Sequence, residues 1–226
     1  MDAHTLWTDA AATAEACRRH PFVTGIADGT LARSAFEHYV GQDAFFLDAF
    51  ARAYALGLAK APDSASMHTF KALLDGAMEE RALHAAYARR WGVDLHPAPS
   101  AATRAYTDFL LHVAALEPAG HVVAAMTPCM RLYAHLGQQL APEARPDSPY
   151  LEWVTTYADP AFEQLAATTE RLLDDLGGDP AVVADHYHTA MRLELDFFDS
   201  AHRAGADRTR TADHHPAPGP SATAGG

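Results

Sequence analysis

The sequence predicts an all-α protein. Ala-rich segments carry apolar residues at helical spacing along most of its length, and almost no run alternates like a strand. Its 226 residues are 49% hydrophobic and 20% charged, enough for one globular domain with a sizeable core. No internal repeat and no second domain is evident.

The first helix is expected over about Thr5 to Arg19, broken by His20-Pro21. The segment Pro21 to Thr30, with two glycines, reads as a turn-rich connector. A long helix follows from about Leu31 to Lys60, on which Phe36, Tyr39, Val40, Phe46, Leu47, Phe50, Tyr54 and Leu58 trace an apolar stripe. Pro62-Asp63-Ser64 ends it and caps the next helix, Ser64 to Trp91, which Gly92 stops. After the loop His96 to Ser100, either Ser100 or Thr103 caps a helix to about Leu116. Pro118-Ala119-Gly120 leads into a helix carrying Cys129. Ala141 to Pro149 is a Pro-rich loop, with Asp147 or Ser148 a cap for a short segment bearing Tyr150, Trp153 and Tyr157. Asp159-Pro160 opens a helix to about Leu176, Gly177-Gly178 breaks it, and a last helix spans about Pro180 to Ala204. The helical domain is therefore expected over residues 1–204. Residues 205–226, rich in Gly, Pro, Ala, Ser and Thr without apolar periodicity, are expected to be disordered.

A formal charge of −12 argues against a nucleic-acid backbone or an anionic membrane as partner, since both need a positive footprint. No apolar run approaches the roughly 18 residues of a membrane span. Met1-Asp2-Ala3-His4 opens with an acid rather than a basic signal region. Two cysteines, Cys17 and Cys129, make no disulfide framework and suit a reducing cytosol, so a cytoplasmic location is expected. Walker-type loops, zinc spacings and Gly-x-Ser-x-Gly elbows are missing from the sequence.

The sharpest local feature is Thr127-Pro128-Cys129 inside an otherwise helical stretch. A proline in a helix interior costs roughly 3 kcal/mol. Either the helix bends around Pro128, or it stops and restarts with Thr127 as N-cap, in which case the helix dipole favours the Cys129 thiolate. The ordinary role for such a cysteine is a small buried hydrophobe. Tyr133, one turn on, shares its face.

Two further segments pair an acid with an aromatic three residues later: Asp43 with Phe46, and Glu194 with Phe197. Each pair shares a helical face and points together toward a cleft if the acid is functional; otherwise the acid faces solvent and the phenylalanines the core. Tyr106 and Tyr157 add rings with a polar handle, suited to a planar ligand or to ordinary core packing. Glu80 and His84, one turn apart, have a spacing that di-iron bundles use, and His186, Asp199 and His202 are the nearest second set. The more ordinary reading is a helix-stabilising pair, and no metal is expected.

Taken in order, His20-Pro21-Phe22-Val23, Gly25, Asp28-Gly29-Thr30-Leu31, Phe36, Tyr39, Gln42-Asp43, Glu80-x-x-Leu83-His84, Tyr106-Thr107, Pro128-Cys129, Tyr133, Trp153, Tyr157 and Glu194-x-x-Phe197 resemble the TenA family. That family includes thiaminase II, also called aminopyrimidine aminohydrolase, and the similarity spans about Leu6 to Ala204. The resemblance implies a heme-oxygenase-like helical bundle that binds no heme and needs no cofactor, assembled as a homotetramer. It implies hydrolysis of an aminomethyl-pyrimidine, or thiamin, to the hydroxymethyl-pyrimidine in thiamin salvage. By position, Cys129 is the nucleophile, which places the chain in the cysteine-containing class. Asp43 anchors the aminopyrimidine nitrogens, and Glu194 is the acid/base. Tyr106, Tyr133 and Tyr157 line the pocket, while Phe46 and Phe197 stack on the ring. Relatives often carry tyrosine at Phe46, so this chain loses a hydroxyl there. The alternatives are a non-catalytic pyrimidine-binding or regulatory protein, and a metal-dependent oxidase on the same scaffold.

Overall fold

Most helices of this chain begin where a side chain accepts one of the N–H groups that a first turn leaves unpaired. In the computed structural model, which describes residues 1–213 apart from the side chains of residues 83, 84, 87 and 207–213, Asp2 caps α1 (Ala3–Asp9) and His20 caps α3 (Pro21–Asp28). Asp63 caps α5 (Ser64–Trp91), Ser100 caps α6 (Ala101–Leu116), and Asp159 caps α9 (Pro160–Leu176). The remaining elements are α2 (Ala11–Arg18), α4 (Arg33–Lys60), α7 (Ala119–Leu140), α8 (Leu151–Ala158) and α10 (Pro180–Asp213). No strand occurs among the described residues, so the all-α expectation is met.

The central element is α7. It is buried on almost every side, from Ala119 through Leu140, as expected of a helix apolar all round. The helices α4, α6, α8, α9 and α10 pack around it. Where α8 crosses, Gly137 is required: a Cβ there would lie 2.3 Å from the Tyr157 backbone. That close approach carries Tyr157 into the bundle.

Four boundaries differ from the sequence reading. The stretch Pro21 to Asp28 is a helix, not a connector. Pro21 takes the first helical position, the His20 ring nitrogen accepts from Phe22 N at 3.1 Å, and Phe22, Val23 and Ile26 are fully buried. Its glycines serve packing and termination instead of a turn: a Gly25 Cβ would press on the Leu31 backbone at 3.0 Å, and Gly29 ends the helix at φ 76°. The first helix divides at Ala10 into α1 and α2. The last helix runs on to Asp213, past the expected end at Ala204, while residues 214–226 of the expected tail lie outside the described residues. Ser148 does not cap α8; its hydroxyl donates to Ile26 O at 2.7 Å and accepts from Tyr150 N, tying the loop to α3.

A fifth difference concerns Pro128. The helix passes through it without restarting. Only the bond to the carbonyl one turn back is lost, and the Thr127 hydroxyl donates to Val123 O at 2.7 Å beside the gap. Burial of α7 on all sides outweighs the local penalty. Cys129 is therefore not at a helix N-terminus, and the dipole argument for its thiolate does not apply.

Candidate active site

Asp43, Cys129 and Glu194 come from α4, α7 and α10, and all three side chains are buried inside the bundle. The acids do not face solvent: Asp43 is 4% exposed and Glu194 1%. Glu194 Oε1 accepts from the Tyr106 hydroxyl at 2.8 Å, and its carboxyl group lies beside the Cys129 thiol. Cys129 and Glu194 are thus brought together, and Asp43 lies close enough to act electrostatically on both.

Burial is the main force on these groups. It pushes the Glu194 carboxyl up to about 8, with the Asp43 carboxylate adding to the rise and the Tyr106 hydroxyl and Cys129 thiol opposing it. Burial also pushes the Cys129 thiol well above its ordinary value, and the acids Glu194, Glu80 and Asp43 push it further. At neutral pH the resting site therefore holds Cys129 as a thiol and Glu194 mostly as a neutral acid. Such a site is poised for a cation, whose arrival stabilises the ionised form of every acid around it.

The aromatic candidates form the walls. Phe46 packs on Tyr106 with ring centroids 4.7 Å apart and on Phe197 at 6.2 Å, the two phenylalanine planes inclined by 51°. A planar ligand stacked on one of them meets the edge of the other. On the opposite side, Tyr133 packs on Tyr157 at 4.8 Å. Burial, followed by nearby carboxylates, raises the Tyr106 and Tyr157 hydroxyls far above the usual tyrosine value, so both remain donors.

Three contributors were not among the residues singled out as the site. Tyr39, one turn before Asp43, donates to the Tyr133 hydroxyl at 3.2 Å and accepts from Trp153 Nε1 at 3.3 Å. Glu80 accepts from the Tyr157 hydroxyl at 2.8 Å, so its role here is to hold that ring. Gln42 fixes the α4 backbone against the entry to α6, accepting from Ser100 N and the Thr103 hydroxyl at 2.8 and 2.6 Å. For Tyr39 the signal was its one-turn spacing from Asp43. A cavity of about 450 Å³ lies beside the site, between α5 and α9; Glu80, Met130, Phe50 and Phe162 line it. It borders the neighbours of Cys129 and Tyr157 rather than Cys129 itself.

Among the described residues the second half of the di-iron arrangement does not assemble. His186, Asp199 and His202 are strung along about 24 Å of α10. Asp199 and His202 flank His20 at the far end, at 3.7 Å to its Nε2 and 5.8 Å between ring centroids. The side chain of His84 lies outside the described residues.

An all-α bundle enclosing a thiol, a neutral carboxyl and a second acid between aromatic walls defines a protein built around a small planar molecule. The chain belongs to the TENA/THI-4/PQQC family, whose model matches residues 7–204. It is 36% identical over 200 residues to an aminopyrimidine aminohydrolase of Halalkalibacterium halodurans, covering 83% of this chain and 89% of that one. It is 33% identical over 183 residues to an aminopyrimidine aminohydrolase of Helicobacter pylori, covering 78% and 81%. Among solved structures, one from Silicibacter described as a TenA family transcription regulator superposes with a TM-score of 0.82 at 28% identity, covering 88% of this chain and 95% of that one. Among the described residues no helix is long and apolar enough to cross a membrane.

Proposed function

We propose that this chain is a hydrolase that converts an aminomethyl-pyrimidine, or thiamin, to the hydroxymethyl-pyrimidine in thiamin salvage. The observation that carries the proposal is the Cys129 thiol beside the buried Glu194 carboxyl, with Asp43 close enough to act on both. Two similar proteins named aminopyrimidine aminohydrolase support it.

The chemistry follows from the charges. An aminomethyl group is cationic at neutral pH, and the strongest charges acting on Cys129 are those of acids. Binding the cation draws Glu194 toward its carboxylate, the form able to take the thiol proton. Asp43 pairs with the amidine edge of the pyrimidine, and Phe46, Phe197, Tyr106, Tyr133 and Tyr157 enclose its faces and rim. The Cys129 thiolate adds to a ring carbon, forming a C–S bond and breaking aromaticity. The ring electrons then expel the amine, which leaves with the proton Glu194 took. Water adds at the exocyclic carbon and gives up a proton, and the C–S bond breaks to restore the ring and the thiol. The net change is replacement of the amine by hydroxyl at the expense of one water. Covalent catalysis of this kind divides one hard displacement into easier steps.

The regulatory alternative has one similar structure to its credit, described as a transcription regulator. A formal charge of −12 gives this chain no positive footprint for DNA. Cysteine usage supports a cytoplasmic location, and family resemblance supports a homotetramer, which light scattering on the purified chain tests. The activity is tested by incubating the protein separately with aminomethyl-pyrimidine and with thiamin and identifying products by mass spectrometry. Release of hydroxymethyl-pyrimidine is the expected result. Tight binding with no product would favour the regulatory alternative.

A further inference from the structure

Away from Cys129, the start of α7 carries a second cluster of chemistry-bearing side chains. Glu117 stands at the C-terminal end of α6, His121 in the first turn of α7, and His186 near the start of α10. Glu117 Oε2 lies 2.8 Å from His121 Nδ1 and 2.7 Å from His186 Nε2. One donor atom from each residue falls within 4.8 Å of the other two. The two histidine side chains are only 12% and 11% exposed, while Glu117 is 25% exposed and so reaches solvent.

The surroundings hold this geometry. A Gly178 Cβ would come within 2.7 Å of the His121 ring, and a Gly120 Cβ would strike the Gly177 carbonyl at 1.9 Å. The Gly177-Gly178 turn can thus press directly on the first turn of α7, and it does so against His121. Lys60 Nζ binds the Glu117 and Ala114 carbonyls, both at 2.6 Å, which fixes the backbone of the carboxylate. The His186 ring packs edge-on to His121 at 5.7 Å and to Phe109 at 5.8 Å. Its Nδ1 is buried with no hydrogen-bond partner, so Glu117 is the group that engages the ring through a polar atom.

We propose that Glu117, His121 and His186 form a binding site for a borderline divalent transition cation such as zinc, clamping α10 to the α6–α7 junction. Two imidazoles and a carboxylate are the donor set such ions prefer. In the closed cluster each ring nitrogen must carry a proton aimed at the shared oxygen. A cation at the common point takes the place of both protons, which move to the other nitrogen of each ring, and the charge on Glu117 balances half of the ion's. Tetrahedral ligands at 2.0–2.1 Å stand about 3.3 Å apart, which a small outward swing of the partly exposed Glu117 provides. Three protein ligands leave the fourth position to water on the solvent side. The Cys129 site contributes no ligand to it.

The test uses the full chain after chelator treatment. Zinc titrated calorimetrically should bind at one ion per chain and raise the melting temperature. Cobalt(II) should give visible d–d bands without the ultraviolet thiolate-to-cobalt band that Cys17 or Cys129 would contribute. His121→Asn and His186→Asn should each weaken binding at least about tenfold and abolish the zinc-dependent rise in melting temperature. Glu117→Gln, which keeps the hydrogen-bond acceptor, should do the same if the histidine variants fold poorly. No saturable binding would overturn the proposal, as would uptake that survives in all three variants and so belongs to other histidines, among them His214 and His215.

Discussion

Cys129 and Arg131 stand two residues apart on α7 and face different neighbours. Arg131 meets α9, where its guanidinium forks onto Glu170 at 2.7 and 2.6 Å and reaches both oxygens of Glu163 at 2.9 Å. Cys129 meets Glu194, with Asp43 and Glu80 acting on it from nearby, and the dominant charges there are all negative. On the α9 side acids are neutralised by a cation of the protein itself. On the α10 side a buried acid is left to hold its own proton. The difference separates a face of the helix that fastens the bundle from one whose acids meet no compensating cation among the described residues.

The largest effect expected is on the uncompensated face. Cys129→Ser should lower turnover of aminomethyl-pyrimidine about a thousandfold or more while leaving pyrimidine binding and the melting temperature near wild type, as calorimetry and product assay together would show. Wild-type turnover in that variant would remove the thiol from the chemistry and leave no functional contrast between the two faces. Next, Arg131→Ala should reverse the pattern. It strands two acids beside α7 and should destabilise the fold by about 2 kcal/mol, less than a fully buried pair because Glu163 and Glu170 are partly exposed. Urea unfolding measures that loss, and kcat should change little. The smallest effect is expected from Tyr106→Phe. The Tyr106 hydroxyl lowers the Glu194 pKa, so its removal raises it. With the Glu194 carboxylate as the required base, the rise of kcat/KM with pH, near 8 in the wild type, should move to higher pH in the variant, with a few-fold loss at neutral pH.

Much of this contrast was legible in the chain. Asp43-x-x-Phe46 and Glu194-x-x-Phe197 each put an acid and a ring on one helical face, and both faces turn inward. The caps Asp63, Ser100 and Asp159 marked their helices because unpaired N–H groups demand an acceptor wherever a helix starts. Local chemistry was a poorer guide where packing decides. Pro128 read as a possible break, but burial of α7 on every side holds the helix through it. Gly25 read as a turn, although its missing side chain makes room for Leu31. Glu80 and the cluster of Glu117, His121 and His186 depend on which helices meet, and one-turn spacing within a single helix carries no such information.

Glu194 is a buried acid that no cation among the described residues offsets, and its pH linkage tests that most directly. With a folded value near 8 against 4.5 in the unfolded chain, the native state holds a proton that the unfolded state has lost between those limits. Stability from this group is complete below about pH 4.5 and is lost as pH rises through 8, a loss of about 3 kcal/mol by pH 7. Glu194→Gln removes the titration and keeps the hydrogen bond from Tyr106. The measurement is unfolding free energy of wild type and Glu194→Gln from pH 5 to pH 8. The expected result is a stability advantage for the variant that grows steadily with pH, alongside a loss of turnover. A difference that stays flat with pH, or a wild type that gains on the variant as pH rises, would contradict it.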